Sequence, residues 1–539
     1  MVHKKDAEQL DWVMRRKLAF SLLFVVAVSA AETDWAAAGK AWWAHIEFLA
    51  DDKLEGRNVG SKGFDKAADY VVSQFEQAGL TPGVGASYSQ PVEFAKLTLN
   101  EPASSLSVVL DGVTTPVKPG DDALLGSPRQ TTDTTAPLVF AGYGLDIPDV
   151  NYSDLKDPAL KGAIAVYLMG GPSQIDGNLR SHSSSADERG KAMKAAGVVG
   201  TIAIPNPKSM DIPWVRQSAN RLQARMGLAD PALAAQGGNF SASWNPEKTD
   251  LLFAGSGHTF SEILAAANAN QPLPHFAMKT SIRAHVVTTS EKVDSRNLVA
   301  IRAGSDPKLK NECVVISAHL DHLGVGTPVN GDSIFNGAMD DASGIASLIE
   351  IARTLKASNV KTKRSLVFLA VTGEEKGLQG SRYFSERSTV KGKIVADINM
   401  DMFLPLFPLK YLEIQGLNES TLGDDIRAVA GAVKVEIQAD KDPNANRFIR
   451  SDQYSFIKKG VPALAFKFGW LPGSNEEKLY KAWYTNRYHS VSDDLTQPVD
   501  KEAAAQFNNI LVNLLRRVAD ADKAPAWKSD SFFRRFAAK

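Results

Sequence analysis

Histidine and acidic residues follow an apolar segment in the middle of the chain. Residues 313–316 are short, apolar and β-branched, which predicts a buried strand, and His319 and Asp321 come just after it. Residues two apart on an extended backbone point to the same side, so we expect the Asp321 carboxylate to accept the second N–H of the His319 imidazole. This pairing is typical of a metal-ligating histidine at the carboxyl edge of an α/β sheet, where ligands bind.

Asp340 stands between a glycine-rich loop and a helical pattern. The loop contains Gly324, Gly326 and Gly331, and apolar residues recur at helical spacing over 345–355. An aspartate here is also a favoured helix cap, because the positive end of the helix dipole stabilises its charge. A metal-binding role for Asp340 therefore depends on the other polar residues of the chain.

Further acidic residues lie at the ends of two more apolar segments. Residues 366–371 precede the adjacent Glu374 and Glu375, which repel each other unless a cation or proton lies between them. Asp401 lies in the apolar segment 394–402, where a charge without a partner is costly. Imidazoles and carboxylates without thiolates suit zinc, and five ligands can hold two ions if one carboxylate bridges them. The candidate ligands are His319, Asp340, Glu375, Asp401 and His489.

Two neighbouring polar residues are excluded from this set. His322 is predicted to face the opposite side of the strand from Asp321, so we do not count it as a ligand. Asp452 precedes a short helical pattern, and we interpret it as a helix cap rather than as a group that supports the ligands.

Five blocks of sequence resemble, in order, the co-catalytic dizinc exopeptidases of the bacterial leucyl aminopeptidase and glutamate carboxypeptidase type. The resemblance implies an α/β zinc-exopeptidase fold with a mixed central sheet flanked by helices, and two Zn²⁺ per chain or other divalent first-row metals. The blocks are His319-Leu320-Asp321, Gly337-Ala338-Met339-Asp340-Asp341-Ala342-Ser343-Gly344, Gly373-Glu374-Glu375-Lys376-Gly377, Asn399-Met400-Asp401-Met402 and Tyr488-His489.

The same resemblance implies a role for each matched residue. Asp340 would bridge the metals, His319 and Asp401 would complete one site, and Glu375 and His489 would complete the other. The catalytic residues would be Glu374 as general base, Asp321 as support for His319, and Tyr488 as a hydrogen-bond donor to the tetrahedral oxyanion.

The N-terminal segment has the pattern of a secretory signal. Residues 15–17 are basic, residues 18–28 are apolar, and small residues follow, so residues 1–31 are interpreted as a signal peptide whose true start could be Met14. This predicts export to a periplasm or the cell exterior, with no stable membrane insertion after the signal is removed.

The rest of the chain is predicted to form two domains. We assign residues 32–119 to the first part of the peptidase domain and 289–525 to its metal-binding part, with 526–539 as a loosely held tail. Residues 120–288 read as strand, strand, helix, strand and resemble a protease-associated insertion, smaller and rich in β-structure. Its role would be to cover the cleft or to stabilise the fold.

Composition excludes several classes of function. Lys plus Arg and Asp plus Glu number 61 each, so no basic surface suggests nucleic acid. The single cysteine, Cys313, excludes an intramolecular disulfide framework, and its strand position predicts a buried thiol. The oligomeric state is not predicted.

The interpretation that follows is a peptidase that removes the N-terminal residue of peptide substrates. Trp470, Trp483 and Tyr484 precede His489 and suggest a pocket for an apolar side chain. Arg447 and Arg450 leave a carboxypeptidase of the glutamate type open, since arginine binds carboxylates. A receptor-like homologue without activity is the other alternative, although its ligands would be expected to be lost.

Overall fold

The computed structural model describes residues 33–210, 212–233, 240–442 and 446–537. The predicted signal peptide, residues 1–31, lies outside this range. The chain divides into Met1–Trp35 and Ala36–Lys539, and the second unit contains both large sheets. In the described residues, no helix has the length and apolar character needed to cross a membrane.

The helices are distributed along the whole described chain. The α-helices are α1 Trp35–Leu49, α2 Lys62–Gln77, α3 Gly177–Ser184, α4 Ala186–Ala195, α5 Trp214–Ala219, α6 Asp250–Phe253, α7 Phe260–Asn268, α8 Ser343–Ala357, α9 Gln379–Glu386, α10 Leu422–Ala432, α11 Gln453–Ile457, α12 Asn475–Asn486 and α13 Lys501–Asp520.

The strands form two large sheets and two small hairpins. They are β1 Thr81–Pro82, β2 Ser89–Leu99, β3 Ser105–Leu110, β4 Val113–Pro116, β5 Ala123–Leu125, β6 Thr132–Ala141, β7 Asp146–Ile147, β8 Tyr152–Ser153, β9 Ile164–Leu168, β10 Gly200–Ile204, β11 Arg225–Leu228, β12 Phe240–Trp244, β13 His275–Val286, β14 Thr288–Arg302, β15 Glu312–His319, β16 Gly324–Val329, β17 Asp332–Phe335, β18 Ser365–Val371, β19 Lys393–Asn399, β20 Tyr411–Gln415, β21 Glu436–Ala439 and β22 Ala463–Phe468.

The first sheet has a parallel centre, and the strands on either side of it, β14 and β20, join it in antiparallel orientation. Its order is β11-β2-β14-β18-β15-β19-β22-β20-β21, with β1 paired to β14. Strands β18, β15, β19 and β22 run parallel, and His319 at the end of β15 pairs with Val371 at the end of β18. Because both faces of these strands are covered, they are continuous apolar segments rather than alternating ones.

Helices α8 and α13 pack on one face of the parallel strands. Ile345 and Leu348 of α8 and Phe507 and Leu511 of α13 are buried in the same core as Ile316 of β15. Burying such side chains stabilises the sheet by roughly 1.5–3 kcal/mol each. The parallel strands are therefore held firmly, and their carboxyl ends meet at one edge.

The second sheet is built from the strands between Ser105 and Val286. Its order is β4-β3-β13-β6-β9-β10-β12-β5, and it has its own buried core that includes Phe140 and Trp244. It starts at Ser105 rather than at residue 120, and β11 from the same part of the chain joins the first sheet instead.

The expectation of a loosely held tail is wrong for residues 526–537. Phe533 is fully buried beside Phe448, and the Trp527 indole donates a hydrogen bond of 2.9 Å to the Gly460 carbonyl. The aromatic residues of this segment have apolar surface to bury, and that burial holds the segment on the domain.

Candidate active site

The predicted ligands converge at the carboxyl edge of the parallel strands. His319 is the last residue of β15, Glu375 follows β18, and Asp401 follows β19. Asp340 lies in the turn before α8, and His489 lies beyond α12 with φ of +51°. The short loops after parallel strands all emerge at this edge, which is why residues so distant in sequence meet here.

One group of donors surrounds His319. Its Nε2 lies 3.1 Å from Oδ1 of Asp340 and 3.9 Å from Oδ1 of Asp401. The ligand atoms of these three residues lie within 4.8 Å of one another, which is close enough to hold one ion.

A second group shares Asp340 with the first. Nε2 of His489 lies 3.3 Å from Oδ2 of Asp340 and 3.3 Å from Oε2 of Glu375. The two groups use different oxygens of Asp340, as a bridging carboxylate requires. All five predicted ligands are therefore brought together.

His322 also faces this second group, contrary to the sequence prediction. The residue is fully buried, and its Nδ1 lies 2.7 Å from Oε1 of Glu375 and 4.0 Å from Oδ2 of Asp340. The strand β15 ends at His319, so the alternation of sides no longer applies at residue 322. Two histidines consequently compete for, or jointly complete, the second group.

The buried nitrogen and oxygen atoms of the two groups are arranged to contact bound cations rather than to form hydrogen bonds with one another. In the described part of the chain, the buried atoms His319 Nε2, Asp340 Oδ2, Glu375 Oε1 and Asp401 Oδ1 make no hydrogen bond of acceptable geometry, although His319 Nε2 and Glu375 Oε1 each lie within 3.1 Å of a polar atom. Buried polar atoms are ordinarily satisfied, so four such atoms in one place indicate an ion. The mixed imidazole and carboxylate set suits zinc.

The charges of the site shift the pKa values of its members in opposite directions. Burial would raise the pKa of Asp340, but the contact with His319 and the neighbouring histidines hold it well below its usual range. Burial also raises the pKa of Glu374 well above its usual value, and the nearby carboxylates Asp401 and Glu375 add to this. A carboxyl group with a raised pKa suits proton transfer near neutral pH.

Asp321 positions the two glutamates rather than the histidine ring. Its Oδ1 and Oδ2 accept hydrogen bonds from the backbone N–H groups of Glu374 and Glu375, at 3.2 and 3.3 Å. Nδ1 of His319 instead faces the backbone carbonyl of Asp321 at 3.0 Å. The predicted contact through the carboxylate is therefore wrong, because the main chain turns after His319 and points the side chain towards the β18 loop.

Asp493 supports the shared aspartate and was not singled out from the sequence. The fully buried carboxylate accepts the backbone N–H of Met339 at 2.9 Å and that of Asp340 at 3.0 Å. Gln497 donates to the same carboxylate at 2.7 Å. The sequence signal that could have identified Asp493 is its position four residues after the predicted ligand His489.

Asp341 and Arg57 hold the surrounding loops. Asp341 accepts backbone N–H groups from Gly344 and, more distantly, from Met402 and His319. The fully buried Arg57 donates to the carbonyls of Leu49, Leu320, Asn336 and Gly337. One guanidinium thus joins the start of the peptidase domain to the loops on both sides of the site.

The interpretation of Asp452 as a helix cap is wrong. It stands at the start of α11, but its side chain makes no capping hydrogen bond. Both carboxylate oxygens are buried, and burial raises the pKa of Asp452 to about 7. Asp452 instead lies close enough to Glu374 for its charge to raise the pKa of Glu374.

Tyr488 lines the same cavity as Glu374, and its backbone is held by the second-sheet part of the chain. Arg216 of α5 donates to the carbonyl of Tyr488 at 2.7 Å and to that of Thr485 at 2.8 Å. The cavity has a volume of about 270 Å³ and also contains Asp340 and His489. The candidate base Glu374, the candidate hydrogen-bond donor Tyr488 and the candidate metal ligands Asp340 and His489 therefore line the same cavity.

A sequence profile described as "Peptidase family M28" matches residues 297–515. These residues include every predicted metal ligand and catalytic residue. Residues 297–515 of the chain therefore match peptidase family M28. The M28 region also contains His322 and Asp493, which complete the site in the structure.

Relatives of the M28 region include named aminopeptidases. The chain is 29% identical to "probable leucine aminopeptidase 2" of Aspergillus oryzae over 238 residues, 41% of this chain and 44% of that protein. It is 24% identical to "Aminopeptidase Y" of Saccharomyces cerevisiae over 212 residues, 38% of this chain and 36% of that protein. These matches span less than half the length of those relatives.

One solved structure shares the architecture of most of the chain. The aminopeptidase from Aneurinibacillus sp. strain AM-1 superposes with a TM-score of 0.55 at 19% identity, covering 92% of this chain and 97% of that one. This similarity confirms the predicted α/β fold with a mixed central sheet.

Proposed function

We propose that the protein is a dizinc aminopeptidase that removes the N-terminal residue of peptides. The observation that carries the proposal is the pair of donor groups that share Asp340, with Glu374 beside them. His319 and Asp401 would hold one ion, and Glu375 and His489 would hold the other, with His322 next to Glu375. Aminopeptidases among the relatives support the same activity.

The residues around the donor groups have different roles in the proposed reaction. When bound, two zinc ions supply a Lewis acid for the scissile carbonyl and lower the pKa of the attacking water. Glu374 accepts a proton from that water at a carboxylate oxygen and delivers it to the departing amine. Tyr488 donates a hydrogen bond from its hydroxyl to the oxyanion of the tetrahedral intermediate.

Two supporting residues keep this geometry. Asp321 fixes the backbone of Glu374 and Glu375, so the base and the neighbouring ligand move together. Asp493 fixes the backbone of Asp340 in the same way. Such outer hydrogen bonds orient the groups that ligate a metal.

The proposal extends to the location and to the second sheet. The pattern of residues 1–31 supports export to the periplasm or the cell exterior. We assign the second sheet to a protease-associated insertion that limits access to the cleft. The two hydrogen bonds from Arg216 to the loop before His489 support this role.

The test uses amino-acid p-nitroanilides and N-acetylated dipeptides with zinc-loaded protein. We expect cleavage of substrates with a free amine, its loss with a chelator, and two zinc ions per chain by mass spectrometry. Cleavage of blocked dipeptides alone would instead establish a carboxypeptidase. Absence of bound zinc would contradict the assignment of the donor groups.

A further inference from the structure

Buried polar residues precede two of the predicted ligands, His319 and Asp401. Ser317 of β15 comes two residues before His319, and Asn399 of β19 comes two residues before Asp401; both are fully buried. The two residues are paired across the strands, and the N–H of Met400 donates to the Ser317 carbonyl at 2.9 Å. A displacement of Ser317 or Asn399 is therefore transmitted to a ligand through a single intervening residue.

The side chain of Asn399 uses its oxygen and both of its amide hydrogens. Its Oδ1 accepts a hydrogen bond from the Ser317 hydroxyl at 2.9 Å, and its Nδ2 donates to Oγ of Ser451 at 3.0 Å and to Oε1 of Gln453 at 2.7 Å. Gln453 in turn donates from Nε2 to the carbonyl of Phe448 at 2.9 Å. One chain of hydrogen bonds therefore connects β15, β19, the start of α11 and the turn before it.

This chain of hydrogen bonds reaches the wall of the cavity in front of the donor groups. Ser451 is one of the residues that line the cavity. The carbonyl of Phe448, which Gln453 holds, lies in the turn whose end residues Arg447 and Arg450 also line it. The same amide, that of Asn399, thus links the strands that precede the ligands to the turn that borders the cavity.

Polar side chains are unusual in the centre of a parallel sheet. Strands that are covered on both faces ordinarily carry apolar side chains throughout, and on the other face of the same strands Ile316 and Ile398 lie in the apolar core. A buried polar network contributes little net stability compared with apolar packing, but its bonds are all made in only one arrangement of its members. This favours a role in positioning over a role in stability alone.

The remaining ligands are supported from other parts of the chain. Asp493 fixes the backbone of Asp340, and Asp321 fixes the backbone of Glu375. The chain of hydrogen bonds through Asn399 therefore acts on the donor group of His319 and not on that of Glu375.

We infer that Asn399 is a positioning residue. Together with Ser317 and Gln453, it places His319 and Asp401 for one of the two ions and couples that ion to the turn beside the cavity. The inference rests on the proposed function, because it concerns the support of the same pair of donor groups.

Replacing Asn399 by leucine tests this role. Leucine is of similar size but makes none of the three hydrogen bonds, so we expect one zinc ion to bind roughly 10–100-fold more weakly and the other to bind as before. Competition with a chromogenic chelator measures both affinities. Calorimetry measures how far zinc raises Tm above that of the metal-free protein, and this increase is expected to be smaller in the variant.

A second variant and a matched control separate positioning from stability. Gln453→Leu leaves both strands unchanged and removes one of the three bonds of Asn399, so the same ion is expected to bind roughly threefold or more weakly. The control is Asn245→Leu, because the buried amide of Asn245 donates to the Asp121 carbonyl at 2.8 Å and accepts the N–H of Glu247 at 3.0 Å in the second-sheet part. This control is expected to lower Tm equally with and without zinc and to keep both affinities.

Hydrogen exchange on the unmodified protein needs no variant. Residues 447–457 contain no predicted ligand, yet the chain of hydrogen bonds joins them to the donor group of His319. We expect zinc to slow amide exchange in residues 447–457 about threefold more than in α7 of the second-sheet part, as measured by mass spectrometry.

Unchanged zinc affinities in Asn399→Leu, with a Tm that falls equally with and without zinc, would overturn the inference. Cleavage of leucine p-nitroanilide by the original protein would then leave the proposed function standing. Two bound zinc ions without cleavage of any peptide substrate would contradict the proposed function alone, and the affinities of the variants would still decide the inference. If Asn399→Leu does not fold, Gln453→Leu and the exchange rates decide it, and equal slowing in both segments would refute it.

Discussion

At the scale of single residues, the site separates the proposed metal ligands from the proposed base. Glu374 and Glu375 are neighbours in sequence, yet Glu375 lies 3.3 Å from His489 in the second donor group, whereas Glu374 is the proposed base. The hydrogen bonds from both backbone N–H groups to Asp321 maintain this division.

Replacing Glu374 by glutamine tests the base. The amide has nearly the same shape but cannot accept the proton, so we expect kcat to fall about 10³-fold, or about 4 kcal/mol in the barrier, with zinc content unchanged. Steady-state kinetics and zinc analysis measure the two effects. The exposed Glu436→Gln is the control, and a variant that loses zinc together with activity would show that Glu374 is a ligand.

Replacing Asp493 by asparagine tests the support of Asp340. One acceptor becomes a donor that opposes the N–H of Met339 or Asp340, so we expect zinc affinity to fall roughly 10–100-fold. Competition with a chromogenic chelator measures the affinity. Asp494→Asn changes a neighbouring carboxylate that accepts hydrogen bonds from Thr496 and lies 3.8 Å from the Arg487 guanidinium, and it is expected to retain affinity.

At the scale of elements, strands β15 and β19 carry polar groups into the core of the first sheet. Asp397 of β19 is fully buried and accepts a hydrogen bond of 2.9 Å from the Ser317 hydroxyl of β15. Burial raises the pKa of Asp397 well above its usual value, and Asp452 adds to the shift while Ser317 opposes it. The folded state therefore favours the protonated acid.

The sign of this shift predicts how stability depends on pH. The folded-state pKa lies above the unfolded value, so the unfolded chain releases its proton first and the contribution of Asp397 to stability is lost as pH rises from about 4 through the folded pKa. Asp397→Asn removes this loss. We expect the Tm advantage of the variant over the original protein to grow with pH between 5 and 8, measured by calorimetry. A constant difference in Tm across that range would refute the shift.

At the scale of the whole molecule, two connections make the site depend on distant parts of the chain. Arg57 joins four carbonyls around the site, and Arg216 joins the second-sheet part to the loop of Tyr488. The carboxylates at the centre of the site repel one another. We therefore expect a bound pair of cations to stabilise the folded domain as well as to support catalysis.

Removing metal should therefore lower the stability of the entire domain. Ligands that bind only the folded state stabilise it by about 2.7 kcal/mol at a concentration 100 times Kd. We expect a chelator to lower Tm by several degrees and added zinc to restore it, as followed by differential scanning calorimetry. A Tm that chelation leaves unchanged would contradict a metal role for the buried donor groups.

Replacing Arg216 by glutamine tests the connection to the second sheet. Loss of two charged hydrogen bonds, each typically about 1.5–3 kcal/mol when buried and less at this partly exposed site, should loosen the Tyr488 loop. We expect kcat/KM to fall about tenfold with zinc still bound, by kinetics and metal analysis. Arg221→Gln is the control, because Arg221 pairs with Glu101 outside the M28 region. Equal losses in both variants would argue for a general effect on folding.

The sequence by itself predicted the strands of the first sheet, the five candidate ligands that meet at its edge and, through the family resemblance, Glu374 as the candidate base. Local patterns suffice there, because buried parallel strands are continuous apolar segments and their polar ends must meet at one edge. The buried position of Cys313 follows from the same local information, because the residue lies in a continuous apolar segment.

Only the tertiary structure decided the contacts made after the strands end. His322 reaches Glu375, Asp321 turns to the glutamates, and Asp452 is buried without a capping bond, because alternation and capping rules apply within regular elements and not in the loops between them. The cavity in front of the donor groups is lined by residues from β20, β22 and the segment 447–450. Their side chains meet through packing of segments far apart in sequence, which no local pattern specifies.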